Sequence, residues 1–349
     1  MNREGFWAEV FRINGSVTPA VIGRVLLFTA FSGVVWMLEV IYQFHSGLEV
    51  APYEIVGVVL ALLLVTRTNA GYDRWYEARK LWGGIVNQSR NLGMIGAVYG
   101  PRDERWQDQF LRWTAAFAHA CRHSLRGETD VSDLKNLLGP TETERLARAP
   151  HRPIYVAGRL AGLLRSAVEA GGLDRFAFMQ AERERAQLID HIGACERILR
   201  TPLAKVFSIK IRRFLFLYLV SLPIAIVDKT GMVTPFLVMI VAYPLLSLDQ
   251  IGIELQDPFS SRRLSHLPLD DISANIERNV LSLHLDAKGG DVDGLRRDFE
   301  DTTATTWDTA DAGEASSLVE ELQFSGRLFV GDHLNGWHGA RTTAHDAAS

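Results

Sequence analysis

Apolar residues along this chain gather in four runs. VIGRVLLFTAFSGVVWMLEVIYQF covers 21–44, a shorter run covers 53–66, FLFLYLVSLPIAIV covers 214–227, and MVTPFLVMIVAYPLLSL covers 232–248. A helix needs about 20 mostly apolar residues to cross the hydrocarbon of a bilayer. The first and fourth runs approach that length. The second and third reach it only if adjoining polar residues lie inside protein or along a wet cavity. Buried helices of a large soluble core are the competing reading. Interfacial helices fit poorly, because no run has a strongly charged face. Two features favour spans. Pro223, Pro235 and Pro244 fall within the runs, and membrane helices tolerate proline when neighbours satisfy the freed carbonyls. The connections HSGLEVAP and DKTG hold one Lys and no Arg, whereas arginines crowd the N-terminus, the middle and the C-terminal region. Basic residues favour the cytoplasmic side. The pattern predicts an all-α membrane protein with four transmembrane helices, both termini cytoplasmic, and a large cytoplasmic insertion between the second and third spans.

The second run passes directly into RTNAGYDRWYEARKLWGGIVNQSR with no proline and no loop signal. One long helix leaving an apolar medium for a polar one accounts for this. The insertion is helical by its spacing. Trp106, Phe110, Trp113, Phe117 and Ala120 recur at intervals of three and four, as do Phe176 and Met179, and Ile189, Ile192, Cys195 and Ile198. No alternating strand pattern persists. Pro258 and Pro268 mark an extended segment, and a helix is expected from about Leu269 with Asp270 and Asp271 in its first turn, where the helix dipole favours acids. At the other end, Pro19 suits a first helical turn capped by Thr18, and Arg24 and Glu39 lie near the ends of the first run. The division is then an N-terminal cytoplasmic segment (1–19), two spans (20–66), a cytoplasmic helical region (67–213), two spans (214–248) and a C-terminal cytoplasmic segment (249–323). The last residues, 324–349, are rich in Gly, His, Ala and Thr and are expected to be disordered.

Composition changes this picture little. Of 349 residues, 47% are hydrophobic and 22% charged, which is ordinary for a soluble protein, yet a mean hydropathy of +0.03 is high for one. A mixture of very apolar segments and a charged remainder fits both values. The net charge of −4 and pI near 6.2 give no support to a nucleic-acid partner. Cys121 and Cys195 stand in no CxxC or ligand-like spacing, so neither a disulfide framework nor a zinc site is expected. The first twenty residues lack the short apolar core and small-residue site of a cleaved signal.

Three sets of residues are candidates for chemistry. Val58, Leu62 and Thr66 sit four apart on one face of the second run, although Val59 and Leu63 form an equally good stripe. His119 and His123 in HACRH are spaced to share a zinc or haem iron, but no HExxH glutamate and no third ligand accompanies them, and a packed or solvated face is the simpler reading. Arg67, Asn69 and Arg74 follow the apolar run, with Asp73 and Glu77 close enough to pair with the arginines. No phosphate loop, nucleophile elbow or paired carboxylates point to an enzyme.

NAGYDRWYEARKLWGGIVNQSR at 69–90 resembles the bestrophins, especially their bacterial members. TPLAKVFS at 201–208 and VAYPLLSLDQIGIELQDPF at 241–259, followed by LPLDDI at 267–272, agree in the same order. The resemblance covers roughly residues 5–290. It implies a homopentameric ion channel in the cytoplasmic membrane that passes small monovalent ions, anions or cations, without a cofactor. By register from Arg74 and Trp75, it places Val58, Leu62 and Thr66 as three rings of a pore neck, Leu203 at a cytoplasmic aperture, and Arg67, Asn69 and Arg74 in a vestibule. Three departures matter. Thr66 stands where the family usually carries a bulky aromatic residue. Ala204 and Lys205 replace an expected proline and apolar residue. Animal bestrophins hold calcium with an acidic run after PFG; here Ser260 replaces the glycine and SSRRLS replaces the acids, so no calcium clasp is expected. Asp257 is left to staple the turn by accepting backbone amides.

Overall fold

The computed structural model describes residues 7, 10–13, 15–43, 47–202 and 205–286. Contacts divide the chain into two compact units, Met1–Arg12 with Asp291–Ser349, and Ile13–Gly290. In the first, the rings of Trp7 and Phe11 stack with centroids 6.4 Å apart. The helices that follow belong to the second.

Helix α1 (Thr18–Tyr42) starts one residue earlier than the expected cap allows. Thr18 is already helical, so its own amide needs an acceptor, and the Ser16 hydroxyl supplies it at 3.1 Å. Ser16 is therefore the capping side chain. The Thr18 hydroxyl instead pairs with Ser16 at 2.7 Å and Tyr243 at 2.9 Å. Helix α2 (Ala51–Tyr99) is the single long helix expected, 49 residues without a break. At 1.5 Å per residue it is about 73 Å long, more than twice the roughly 30 Å of a bilayer's hydrocarbon. It stops where Pro101 forces its predecessor out of the helical region, and Gly100 is extended at φ −70°, ψ 172°.

Beyond α2 come α3 (Glu104–Arg126), a 3₁₀ turn (Ser132–Leu134), the short α4 (Lys135–Leu138) and α5 (Pro140–Arg148), α6 (Arg152–Glu169), α7 (Arg175–Arg200), α8 (Lys205–Thr230), α9 (Thr234–Glu254) and α10 (Leu269–Asp286). No strand occurs among the described residues. Asp103 caps α3 and Asp174 caps α7 through backbone amides at 3.0 and 3.1 Å. Helix α10 opens at Leu269 with Asp270 and Asp271 in its first turn, as its sequence indicates.

Two apolar cores lie along α2. The first joins its upper half to α1, α8 and α9 through Val25, Leu60, Leu64, Leu215, Leu219, Val238 and Ala242. Side-chain pairs fix the directions. Thr230 meets Thr234 where α8 turns into α9, and Arg212 meets Asp249 at the far end of that hairpin. The stretches Thr18–Tyr42, Ala51–Tyr99 and Val206–Glu254 are long and apolar enough to cross a membrane, the last containing the α8–α9 hairpin. Helix α8 runs unbroken through Arg213, so the expected boundary between 213 and 214 is not marked by any change of backbone. Pro223 and Pro244 lie inside α8 and α9, while Pro235 sits in the first turn of α9.

The second core surrounds α3, which is buried along most of its length against the lower half of α2 and against α6, α7 and α10. Helix α7 runs antiparallel to α2, with Asn91 meeting Glu184 at 3.2 Å and Gln88 meeting Gln187 at 2.6 Å. At Gly96 the Phe110 ring lies against the α2 backbone. A Cβ there would come within 2.3 Å of that buried ring. Gly96→Ala should cost about 1–3 kcal/mol by overpacking. A melting temperature in detergent equal to wild type would contradict that packing.

Both cysteines sit in this second core. Burial pushes the Cys121 thiol well above its ordinary value and the Cys195 thiol up to about 12, with Glu196 and Glu77 adding to the latter. A thiol so far from ionisation is a poor nucleophile. Folded protein at neutral pH should therefore resist alkylation, with both cysteines modified after denaturation. Rapid labelling of the folded chain would show that this core admits reagent.

Candidate functional site

The upper half of α2 separates its faces sharply. Leu60 and Leu64 are buried at 1% and 0% exposure, whereas Val58 and Leu62 remain 62% and 61% exposed. Thr66 is exposed too, its hydroxyl donating to the Leu63 carbonyl at 2.9 Å. The alternative stripe divides differently. Leu63 packs against the first core, and with Val59 it borders an apolar groove completed by Phe214, Leu217 and Tyr218 of α8. The exposed Val58 side continues down the polar half of the helix through Asn69, Asp73, Tyr76 and Lys80. Tyr72 and Tyr76 stack at 6.1 Å, and the Lys80 ammonium lies 5.2 Å from the centroid of Tyr76.

Among the three polar candidates, only Asn69 is exposed. Arg67 is 1% exposed and forms a short ion pair with Asp249 of α9. Asp249 also accepts from Arg212 of α8 at 3.2 Å. The close approach of α2 and α9 allows this arrangement. A Cβ on Gly252 would lie 3.6 Å from the Arg67 side chain, and one on Gly71 only 3.1 Å from Leu255. Arg67 thus turns inward, and the expectation that it lines a vestibule is corrected by this ion pair. A guanidinium at the end of an apolar bundle needs a buried anion, and Asp249 is that anion.

Arg74 is half-buried, and its donors reach carbonyl oxygens. It donates to Ile198 and Thr201 at 2.6 Å each and to Gln256 at 3.5 Å. The ion pairs expected between Arg74 and the neighbouring acids give way to this arrangement, because the C-terminal end of α7 presents carbonyls without helical partners. Glu77 faces Arg197 instead, at 3.7 Å. Burial holds the Arg74 pKa below its ordinary value despite nearby Glu77 and Asp257. Leu203 lies outside the described residues, as do Ala204 and the tail at 324–349.

A second polar belt ties the same end of the apolar bundle together. Arg24 donates to Gln250 at 3.2 Å, Gln250 donates to Glu254 at 2.8 Å, and Glu254 accepts the Leu264 amide at 3.0 Å. Asp257 accepts the amides of Phe259 and Ser260 at 3.3 Å each, which is the staple its position suggests.

His119 and His123 face carboxylates. His119 Nε2 lies 2.7 Å from Glu277 of α10, and His123 lies 2.8 Å from Glu128 and 3.0 Å from Asp133. Arg122 and Arg126 join Asp133 and Asp270 to the same network. Burial pushes the Asp133 carboxyl up, but His123 and Arg122 outweigh it and hold its pKa below the ordinary value. The network fastens α10 to α3. Among the described residues, no group of three or more His, Cys, Asp or Glu is arranged to hold a metal ion.

The residue that sequence reading passed over is Asp249. A signal was present, since an ionisable group directly at the end of an apolar run needs a partner. Its partner could not be read, because Arg67 is 182 residues away.

The family model described as Bacterial/Fungal Bestrophin protein matches residues 1–282. A voltage-dependent anion channel-forming protein of Nostoc sp. is 33% identical over 281 residues, covering 78% of this chain and 90% of its own length. Its namesake YneE of Escherichia coli K12 is 32% identical over 286 residues, covering 80% and 92%. The crystal structure of a bacterial bestrophin homologue from Klebsiella pneumoniae superposes with a TM-score of 0.70 at 28% identity, over 76% of this chain and 98% of that one. The chain is a helical membrane protein that belongs to the bacterial and fungal bestrophin family.

Proposed function

We propose that this chain is one subunit of a homopentameric ion channel, with four spans formed by α1, the upper half of α2, α8 and α9. The observation that carries the reading is the exposed side of α2. Val58, Leu62 and Thr66 stay open on a helix that buries Leu60, Leu64 and Arg67 on its other side. Fivefold repetition turns each into a ring. An apolar ring offers water no hydrogen bonds, so it can block ions by dewetting without a charge barrier. The relatives named as anion channel-forming proteins and the Klebsiella bestrophin homologue support the same function. Ions cross passively and no bond is made or broken, so the chain acts as a channel and not as an enzyme.

In this reading α2 leaves the membrane just below Thr66, and its lower half with α3, α6, α7 and α10 forms the wall of a cytoplasmic vestibule. Both termini lie on the cytoplasmic side of the bacterial inner membrane. The segment between α7 and α8 forms the exit, with Leu203 at its narrowest place. Leu203→Ala should raise single-channel conductance or change selectivity in bilayer recordings. An unaltered channel would remove Leu203 from the ion path.

The assembly is tested by the mass of the detergent-purified protein. A particle of about five times the 38.9 kDa chain is expected, together with currents on reconstitution. A monodisperse single subunit would overturn the proposal.

A further inference from the structure

We infer that the outward face of α8 around Lys210 and Arg213 binds the phosphate headgroup of an anionic phospholipid. The inference rests on the chain being a membrane protein and not on the pore reading of α2. Ile211, Leu215, Leu219 and Leu222 form the buried stripe of this helix. Away from that stripe, Ile209, Arg212, Arg213, Phe216 and Leu217 recur at intervals of three and four and border an open groove of about 450 Å³. All five are exposed, as is Lys210 beside them. Asp228 lies near the other end of α8. From there back to Arg213 is about 22 Å of helix, and back to Lys210 about 27 Å. A bilayer's hydrocarbon is about 30 Å thick, so both cations stand at its edge. Exposed Val206, Phe207 and Ile209 carry the apolar surface one turn farther.

A cation at that depth pairs with an anion or reaches for water. The acids at this end are already engaged. Asp249 serves both Arg67 and Arg212, and Glu254 holds Gln250 with Arg263 at 3.8 Å. Arg24 donates to the Ala20 carbonyl and to Gln250. On α2, Asp73 shares the side of Leu62 and Thr66, and Glu77 faces Arg197 at 3.7 Å. Lys210 and Arg213 make no hydrogen bond or ion pair among the described residues. The opposite end of the bundle is acidic, with Lys229 standing among Asp228, Glu39, Glu49 and Glu54. Basic residues favour the cytoplasmic side, where the leaflet's anionic lipids attract juxtamembrane cations. A guanidinium matches phosphate oxygens two at a time. Phe216 and Leu217 lie one turn deeper in the membrane and offer an acyl chain an apolar wall. Leu217 also borders the groove between α2 and α8, so that wall continues to Val59 and Leu63.

The test is lipid retention by the full-length protein in neutral detergent, titrated with phosphatidylglycerol or phosphatidylcholine and read by native mass spectrometry. The wild type should retain phosphatidylglycerol in preference. Lys210→Gln with Arg213→Gln should weaken that lipid about fivefold for each cation, roughly 30-fold together, and leave phosphatidylcholine unaffected. Lys210→Arg with Arg213→Lys keeps both charges and should keep the preference. Equal retention of the two lipids by the wild type overturns the assignment, and that comparison needs no variant. An unchanged preference in the double glutamine variant overturns it as well. Inorganic phosphate alone should not bind; a phosphate adduct lost in the double variant would assign the groove to a soluble anion instead. A change in the particle's subunit number in that variant would make this face an interface between copies and remove the lipid site.

Discussion

Replacing Asp249 by asparagine is expected to cost about 3–5 kcal/mol, the loss typical when one member of a buried pair is removed. The carboxylate is shared. Arg67 of α2 and Arg212 of α8 both reach it from within the first core's polar end. Asparagine keeps the volume but leaves the Arg67 guanidinium charged and buried, with only a neutral amide to face. The melting temperature in detergent should fall on the order of 10 °C. Removing both charges is a milder change, because a hydrophobic pair of similar volume avoids the desolvation of either ion. Arg67→Met with Asp249→Leu should therefore recover much of the loss. A decrease below about 1 kcal/mol for Asp249→Asn would mean that the pair behaves as an exposed one, contrary to its burial.

Thr66→Phe is expected to reduce single-channel conductance severalfold. Thr66 is the lowest of the three residues on the exposed side and the only one with a hydroxyl. That oxygen donates to Leu63 but keeps lone pairs for water. In the proposed pentamer, phenyl rings at this level would narrow the path and exclude the water that hydroxyls hold. Thr66→Val separates the two contributions, since it keeps the width and removes the oxygen. A smaller decrease for valine than for phenylalanine is expected. Equal conductance in all three proteins would mean that position 66 does not face the ion path.

Much of the fold was legible because its determinants are local. From Tyr53 to Tyr99 the chain lacks proline, Pro52 falls in the first turn where it is tolerated, and the whole stretch from 51 to 99 forms one helix. The intervals of three and four at Phe110, Trp113 and Phe117 place α3 correctly as a buried helix. The start of α10 follows from Pro268 and two acids. What sequence could not supply were pairings across long separations. Arg67 and Arg74 look alike on paper, two cations just beyond an apolar run. One meets a buried carboxylate and the other meets helix-end carbonyls, and only the fold decides which. The same is true of the Val58 and Val59 stripes, which hydropathy cannot distinguish. They separate at Leu63, which packs against the first core while Leu62 stays open; Val59 is as exposed as a pore-facing residue would be. His119 shows the limit from another side. Its spacing to His123 left a packed or solvated face as the simpler reading over a shared ion, but not the partner: Glu277, 158 residues away, takes up its Nε2.

The most direct measurement is the accessibility of position 62 in a working channel. A Leu62→Cys variant, recorded in planar bilayers, would be exposed to a charged, membrane-impermeant thiol reagent. Cys121 and Cys195 are buried with raised pKa values, so the wild type supplies a silent background. If Leu62 lines the conduit, the reagent reduces the current of the variant irreversibly and leaves the wild type unaffected. A current that persists while position 62 stays unmodified, or persists after its full modification, would contradict the account.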